Sequence, residues 1–187
     1  MPMSSSESAT VLKRTVIIAI FAAVAVVLGL IEAQIPLVGM GFMPGAKLGF
    51  ANIMVLTCIY FLRGRDALVL VILKTLLTAF LLGTFSSLLF SLLGSLLSFV
   101  VMFLLLKLFG KKFSLIGISI AGGLAHNVGQ LLGAAMVFDS ASILYYLPVL
   151  LISGVVTGIA VGFAVRYLVD SLSKISLFEE FLDARSQ

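Results

Sequence analysis

The sequence contains few charged residues and a single cysteine. Charged side chains make up 11% of its 187 residues, whereas 61% are hydrophobic. Because a water-soluble domain carries about 25% charged residues, this composition excludes a soluble fold and predicts an integral protein of the lipid bilayer. The single cysteine, Cys58, excludes a disulfide framework.

The sequence also lacks the motifs of several enzyme classes. The stretch Gly41–Lys47 has no Gly-Lys pair, which excludes a Walker A phosphate loop there. No Asp-rich motif is present to hold magnesium and a diphosphate, and neither a metal-spaced Cys/His set nor a serine triad occurs. We therefore predict no catalytic residue, no metal and no cofactor, and we do not expect an enzyme.

Long apolar segments recur along the chain, each near the roughly 20 residues that a helix needs to cross a bilayer. They predict an all-α bundle of six transmembrane helices in residues 11–166, between an N-terminal tail (1–10) and a C-terminal segment (167–187). The predicted spans are Val11–Glu32, Leu48–Leu62, Ala67–Gly83, Phe85–Leu106, Ser114–Phe138 and Ala141–Arg166.

The basic residues gather on one side of these spans, and the other side holds only Lys47. Those on the basic side are Lys13, Arg14, Arg63, Arg65, Lys107, Lys111, Lys112, Arg166 and Lys174. The positive-inside rule therefore predicts a multi-pass protein of the cell membrane with both termini in the cytoplasm. Since the cations lie in short loops and not on a folded basic face, no nucleic-acid partner is expected.

The C-terminal segment has a hydrophobic stripe. Leu168, Leu172, Ile175 and Phe178 lie on roughly one helical face, as in an amphipathic helix at the membrane interface. A solvated tail is the alternative interpretation, and the sequence does not distinguish the two.

Small residues recur at four-residue spacing, which allows helices to approach closely in lipid. Most of them are interpreted as internal seams of the bundle: Ser87, Ser91, Ser95, Gly117, Ala121, Ala125, Gly129, Gly133, Gly154, Gly158 and Gly162. Ala19 and Ala23 differ, because they lie near the cytoplasmic end of the first span, where a small exposed face could dock the helix of a partner.

Two ionisable residues lie near the middle of spans, Lys74 in the third and His126 in the fifth. Asn127 and Gln130 follow His126, so that one helical surface presents several polar groups. Such groups are costly in a membrane and indicate a binding site. An interhelical hydrogen-bond clamp is the alternative for the His126 cluster, and a side chain that reaches toward the interface is the alternative for Lys74.

The connection Ile35–Lys47 is apolar yet rich in glycine and proline. This composition predicts neither a helix nor a polar linker, and we expect it to fold over the outer mouth of the bundle as a lid. Lys47 and Asn52 would then lie at the outer end of span two, at a depth similar to that of Gln130.

The predicted spans contain no carboxylate deeper than Glu32 and Asp139 at their outer ends. Carriers driven by protons or sodium commonly rely on intramembrane acids, so the sequence argues against a self-energised transporter. The potential cations Lys47, Lys74 and His126 favour an anionic or electron-rich ligand instead.

Three motifs together resemble one bacterial membrane family, known as heptaprenyl diphosphate synthase component I or Gx transporter. They are Pro-Gly-Ala-Lys-Leu-Gly-Phe-Ala-Asn at 44–52, the segment 117–130 with its Ala-His-Asn-Val-Gly-Gln ending, and Tyr-Leu-Pro at 146–148. That family is similar in turn to the substrate-binding S components of energy-coupling factor (ECF) vitamin transporters.

This resemblance implies six helices, an outer lid, and a pocket in the outer half of the bundle. It implies binding roles for Lys47, Asn52, His126, Asn127 and Gln130, and a contact of Ala19 and Ala23 with a coupling subunit that works with an ATPase. The expected function is capture of a small vitamin-like or anionic metabolite. A membrane component of isoprenoid or menaquinone (heptaprenyl diphosphate) synthesis, or of flavin-linked electron transfer, is the alternative.

Overall fold

The computed structural model describes residues 5–35, 47–82, 85–179 and 181, and this part of the chain is helical with no strand. It contains six α-helices of ten residues or more and two 3-10 helices at Gly110–Lys112 and Ala141–Tyr146, and residues 176–179 are also helical. The α-helices are α1 (Ser5–Ala33), α2 (Asn52–Phe61), α3 (Gly64–Leu82), α4 (Phe85–Phe109), α5 (Leu115–Phe138) and α6 (Leu147–Leu172).

The all-helical prediction is confirmed, and each predicted span corresponds to one of these helices. Four segments are long and apolar enough to cross a membrane: Ser8–Ala33, Phe85–Phe109, Leu115–Phe138 and Ala141–Leu172. The short helix α2 rises only about 15 Å, half the thickness of a hydrocarbon core. The number of crossings and the orientation of the termini therefore stay predictions.

Helix α2 lies at the centre of the bundle and contacts each of the other five helices. Eight of its ten residues are buried, which explains why it is apolar all around and not along one stripe. Its start is later than predicted, because residues 47–49 are not helical and Gly49 has a φ of 90°.

The ends of the outer helices also differ from the predicted bounds. Helix α1 begins at Ser5, inside the predicted N-terminal tail. Helix α6 begins at Leu147, with Pro148 in its first turn, where a missing N–H costs nothing.

The predicted lid lies mostly outside the described residues, at 36–46, and so does the turn predicted at residues 83–84.

The C-terminal segment packs against the bundle in its described part. Helix α6 continues to Leu172, and Phe178 is buried, with its ring centroid 4.9 Å from that of Phe61 and 6.3 Å from that of Phe21. The stripe that contains Phe178 therefore faces the protein core at this position, in contrast to a free solvated tail.

Glycines form the seams around α5, as predicted for Gly129 and Gly154, but Gly123 was not among the predicted residues and the glycines do not follow one continuous stripe. Gly129 lies against Gly94 of α4, whereas Gly123 faces Gly154 of α6. Ala121 is only half-buried. Because each four-residue step turns the helix by about 40°, a stripe from 117 to 133 cannot face a single neighbour.

Candidate functional site

A small polar cavity lies at the end of the bundle where α1 ends and α2, α4 and α6 begin. Its remaining space is about 30 Å³, which is room for about two water molecules. The polar side chains that line it are Glu32, Lys47, Lys74, Thr75, Thr78, Ser91, Ser95 and His126. Such a concentration of ionisable groups inside an apolar bundle is costly and indicates a functional site.

Two lysines reach the cavity from different elements and bind neighbouring serines of α4. Lys47 Nζ donates to Ser91 Oγ at 2.7 Å, and Lys74 Nζ donates to Ser95 Oγ at 3.0 Å. The two serines are four residues apart and so lie on one face of α4. Lys74 is 5% exposed, so its ammonium group is held in the interior and does not reach toward the interface.

The cavity also contains the carboxylate of Glu32, which the sequence analysis did not predict there. Glu32 is 3% exposed, and its Oε1 accepts a hydrogen bond from the Gly49 N–H at 2.5 Å. The sequence analysis placed Glu32 at the outer end of the first span. In the structure the non-helical segment 47–49 covers this side chain. The site therefore contains an acid as well as the predicted cations.

Gly49 permits this arrangement through its backbone conformation. Its φ of 90° favours glycine. A Cβ atom there would lie 3.0 Å from Asn52 Nδ2 and 3.2 Å from His126 Cδ2. The glycine thus brings Asn52 and His126 close to the segment that covers Glu32.

Gln130 fixes the segment at Lys47. Its side-chain oxygen accepts from the Lys47 N–H at 2.8 Å, and its amide nitrogen donates to the Lys47 carbonyl at 2.8 Å. Burial lowers the pKa of the Lys47 amine, and the charge of Glu32 partly offsets this shift. Through its two hydrogen bonds to Lys47, Gln130 supports the wall of the cavity in this conformation.

His126 and Asn52 contain buried polar atoms that lack hydrogen bonds within the described residues. They are both ring nitrogens of His126 and Oδ1 of Asn52. Of these two residues only His126 lines the cavity. Because buried polar atoms are nearly always paired in proteins, its ring nitrogens are the candidates to pair with a ligand or with water there.

Asn127, like Asn52 and Gln130, is not among the residues that line the cavity, and its side chain contacts α6. Its Nδ2 donates to the Leu150 carbonyl of α6 at 2.5 Å. Gly154 makes room for this contact, because a Cβ there would lie 2.9 Å from Asn127 Nδ2. In this structure Asn127 joins α5 to α6, which is the clamp alternative considered for the cluster.

Ala19 and Ala23 are both exposed on α1, away from the cavity.

The sequence analysis missed the cavity roles of Glu32, Ser91 and Ser95. The serines were interpreted only as packing residues, although their spacing placed them on one face. Among the described residues no three His, Cys, Asp or Glu side chains lie close enough to hold a metal ion.

Comparison with known proteins gives a family and no individual relative. No curated protein and no solved structure matches the chain. A family model described as heptaprenyl diphosphate synthase component I matches residues 21–168, which include α2 to α5 and every residue that lines the cavity. Because this match covers well over half of the sequence, the chain belongs to the heptaprenyl diphosphate synthase component I family.

Proposed function

We propose that the protein is the membrane substrate-binding subunit of an ECF-type transporter and binds a small vitamin-like or anionic metabolite in the polar cavity. The observation that carries the proposal is the enclosure of Glu32, Lys74 and His126 together within an apolar bundle. A bundle that needed only stability would be served as well by apolar side chains of similar volume.

The charges in the cavity favour an anionic ligand group. The ammonium groups of Lys47 and Lys74 outnumber the single carboxylate of Glu32. Both lysines bind only neutral serine hydroxyls among the hydrogen bonds of the described residues. A carboxylate or phosphate of the ligand would supply the missing negative charge.

Entry of a metabolite requires a wider cavity than the one in this conformation. Pockets for small molecules measure about 300–1,000 Å³, ten times the present volume or more. The movable part of the wall is the non-helical segment at Lys47, which Gln130 holds through its side chain. We therefore expect ligand entry to break these two hydrogen bonds.

The proposed partners are a transmembrane coupling subunit and ATPase subunits. Ala19 and Ala23 present a small exposed surface on α1, and small residues allow close helix contacts in lipid. The protein would bind and release the metabolite, and the ATPase would supply the energy. We propose no catalytic step for this chain.

A second candidate is favoured by the description of the family. Its name refers to a component of heptaprenyl diphosphate synthase, so a membrane partner in isoprenoid or menaquinone synthesis is the competing proposal. The two functions differ in the proteins that accompany the chain, an ATPase and a coupling subunit in one and a prenyltransferase in the other.

Purification from native membranes in a mild detergent separates the two candidates. We expect ATPase subunits to copurify with the wild type and to be lost in the double variant Ala19→Trp, Ala23→Trp. The matched control is Val156→Trp, Ala160→Trp, since these residues are also exposed and four apart, on α6. Copurification of a prenyltransferase without ATPase subunits, or prenyl chain elongation by the complex, would establish the second candidate.

A further inference from the structure

A groove separate from the polar cavity lies between the beginning of α3 and the second half of α4, at the end of the bundle where α1 begins and α6 ends. It is an open groove with a volume of about 590 Å³ and is lined by Arg63, Gly64, Arg65, Leu68, Phe99 and Phe103. No residue of this groove belongs to the proposed substrate site.

One rim of the groove is cationic. Arg63 and Arg65 are exposed, and within the described ranges neither guanidinium group is paired with a carboxylate. The nearby carboxylate of Asp66 is already engaged, because it accepts from the Arg14 guanidinium and from the Arg63 backbone N–H. Among the described residues, both guanidinium groups are therefore without a carboxylate partner and could bind an external anion.

The rest of the groove is apolar. Phe99 and Phe103 stack with their ring centroids 5.7 Å apart, and Leu68, one turn after Arg65, is 37% exposed. Gly64 makes room for the Phe103 ring in this apolar part of the groove, because a Cβ at that position would lie 2.5 Å from Cε2 of Phe103. The glycine thus allows the Phe103 ring to lie directly beside the backbone between the two arginines.

We propose that this groove binds an anionic phospholipid of the surrounding membrane. Arg63 and Arg65 would bind the headgroup phosphate, since the planar guanidinium group matches phosphate oxygens with paired hydrogen bonds. An acyl chain would lie along Leu68 and the two phenylalanine rings. A soluble anion would pair with the arginines but leave the apolar part of the groove in contact with water, which disfavours it as the occupant.

The position of the groove in the fold is consistent with a lipid as its ligand. Arg63 lies in the short connection between α2 and α3, and Arg65 is the second residue of α3, which is otherwise mostly apolar. Basic groups in this position attract anionic lipid headgroups at the membrane surface. The proposal does not depend on the transported ligand or on the coupling subunit, so it survives if the proposed function fails.

Native mass spectrometry of the full-length protein with added phosphatidylglycerol or phosphatidylcholine tests the proposal. We expect selective retention of phosphatidylglycerol and affinity weaker by about 25-fold in Arg63→Gln, Arg65→Gln, from roughly fivefold per arginine. The control Arg166→Gln, Lys174→Gln removes two exposed charges near the end of α6 and outside the groove, and it should keep wild-type selectivity.

A charge-conserving variant and a soluble competitor complete the test. Arg63→Lys, Arg65→Lys keeps the charge but not the paired hydrogen bonds, so it should bind phosphatidylglycerol more weakly than the wild type and more tightly than the glutamine variant. An unchanged melting temperature of all variants excludes misfolding as the cause of lost binding. Equal loss in the control pair, equal binding of phosphatidylcholine, or displacement of the lipid by glycerol 3-phosphate at comparable concentration would each overturn the proposal.

Discussion

The Gln130 side chain makes two hydrogen bonds to the backbone of Lys47, accepting from its N–H at 2.8 Å and donating to its carbonyl at 2.8 Å. The two residues are 83 positions apart in the sequence. One amide side chain on α5 thus satisfies both polar groups of a residue in the connection between α1 and α2. The same segment provides Lys47 Nζ to the cavity and the Gly49 N–H to Glu32.

We predict that Gln130→Ala loosens this segment. Loss of both hydrogen bonds leaves two backbone groups unpaired, which should cost about 1–3 kcal/mol of unfolding free energy. Cysteine labelling at Leu48→Cys, in a Cys58→Ala background, measures the opening, and we expect faster labelling in the Gln130 variant. Gln34→Ala is the control, because Gln34 is an exposed residue after α1.

Equal labelling rates for the Gln130→Ala and Gln34→Ala proteins would contradict this role of Gln130. The segment would then be held by Glu32 and Ser91 alone. Faster labelling in both variants would indicate a general loosening of this end of the bundle, which also contradicts a specific clamp.

The close contact between α5 and α6 predicts a penalty for Gly158→Ala. A Cβ atom at this position would lie 2.6 Å from Cα of Ile120, so the two helix backbones must move apart. We expect a loss of about 1–3 kcal/mol in unfolding free energy, measured by thermal or chemical unfolding in detergent.

Gly29→Ala is the control for that measurement. Its Cβ would lie 3.4 Å from side-chain atoms of Thr78, an ordinary packing distance. Since alanine favours a helix over glycine by up to about 1 kcal/mol, this variant should be neutral or more stable. A stable Gly158→Ala protein would show that the seam tolerates wider spacing.

The burial of Phe178 predicts that the C-terminal segment contributes to stability. Phe178→Ala should cost about 3–5 kcal/mol of unfolding free energy, because it removes a ring in contact with Phe61 and Phe21. Tyr167→Ala, at an aromatic residue that is 76% exposed in the same region, should change stability by less than about 0.5 kcal/mol. Equal effects of the two substitutions would mean that the segment does not pack on the core.

The sequence predicted the helical class and the position of each helix, because long apolar segments leave few alternatives in lipid. It also identified Lys74, His126 and Gln130 as unusual polar residues. The role of Glu32 could not be predicted, since its burial depends on the conformation of Gly49 and on a hydrogen bond between distant parts of the chain.

Asn127 shows a second reason for the limits of sequence analysis. It is adjacent to His126, yet the two side chains point to different neighbours because successive residues on a helix are rotated by about 100°. His126 lines the cavity and Asn127 binds α6. The pairing of helices decides which polar residue contributes to a site, and periodicity alone does not determine this pairing.

The most direct test of the central claim is identification of small molecules that copurify with the protein. Mass spectrometry of extracts should find one polar or anionic metabolite in the wild type and in Lys107→Met, which changes an exposed lysine. The metabolite should be absent from Lys74→Met, which removes the buried ammonium group and keeps a side chain of similar length. Retention of the same metabolite by Lys74→Met, or no metabolite in the wild type, would contradict the assignment of this cavity as the substrate site.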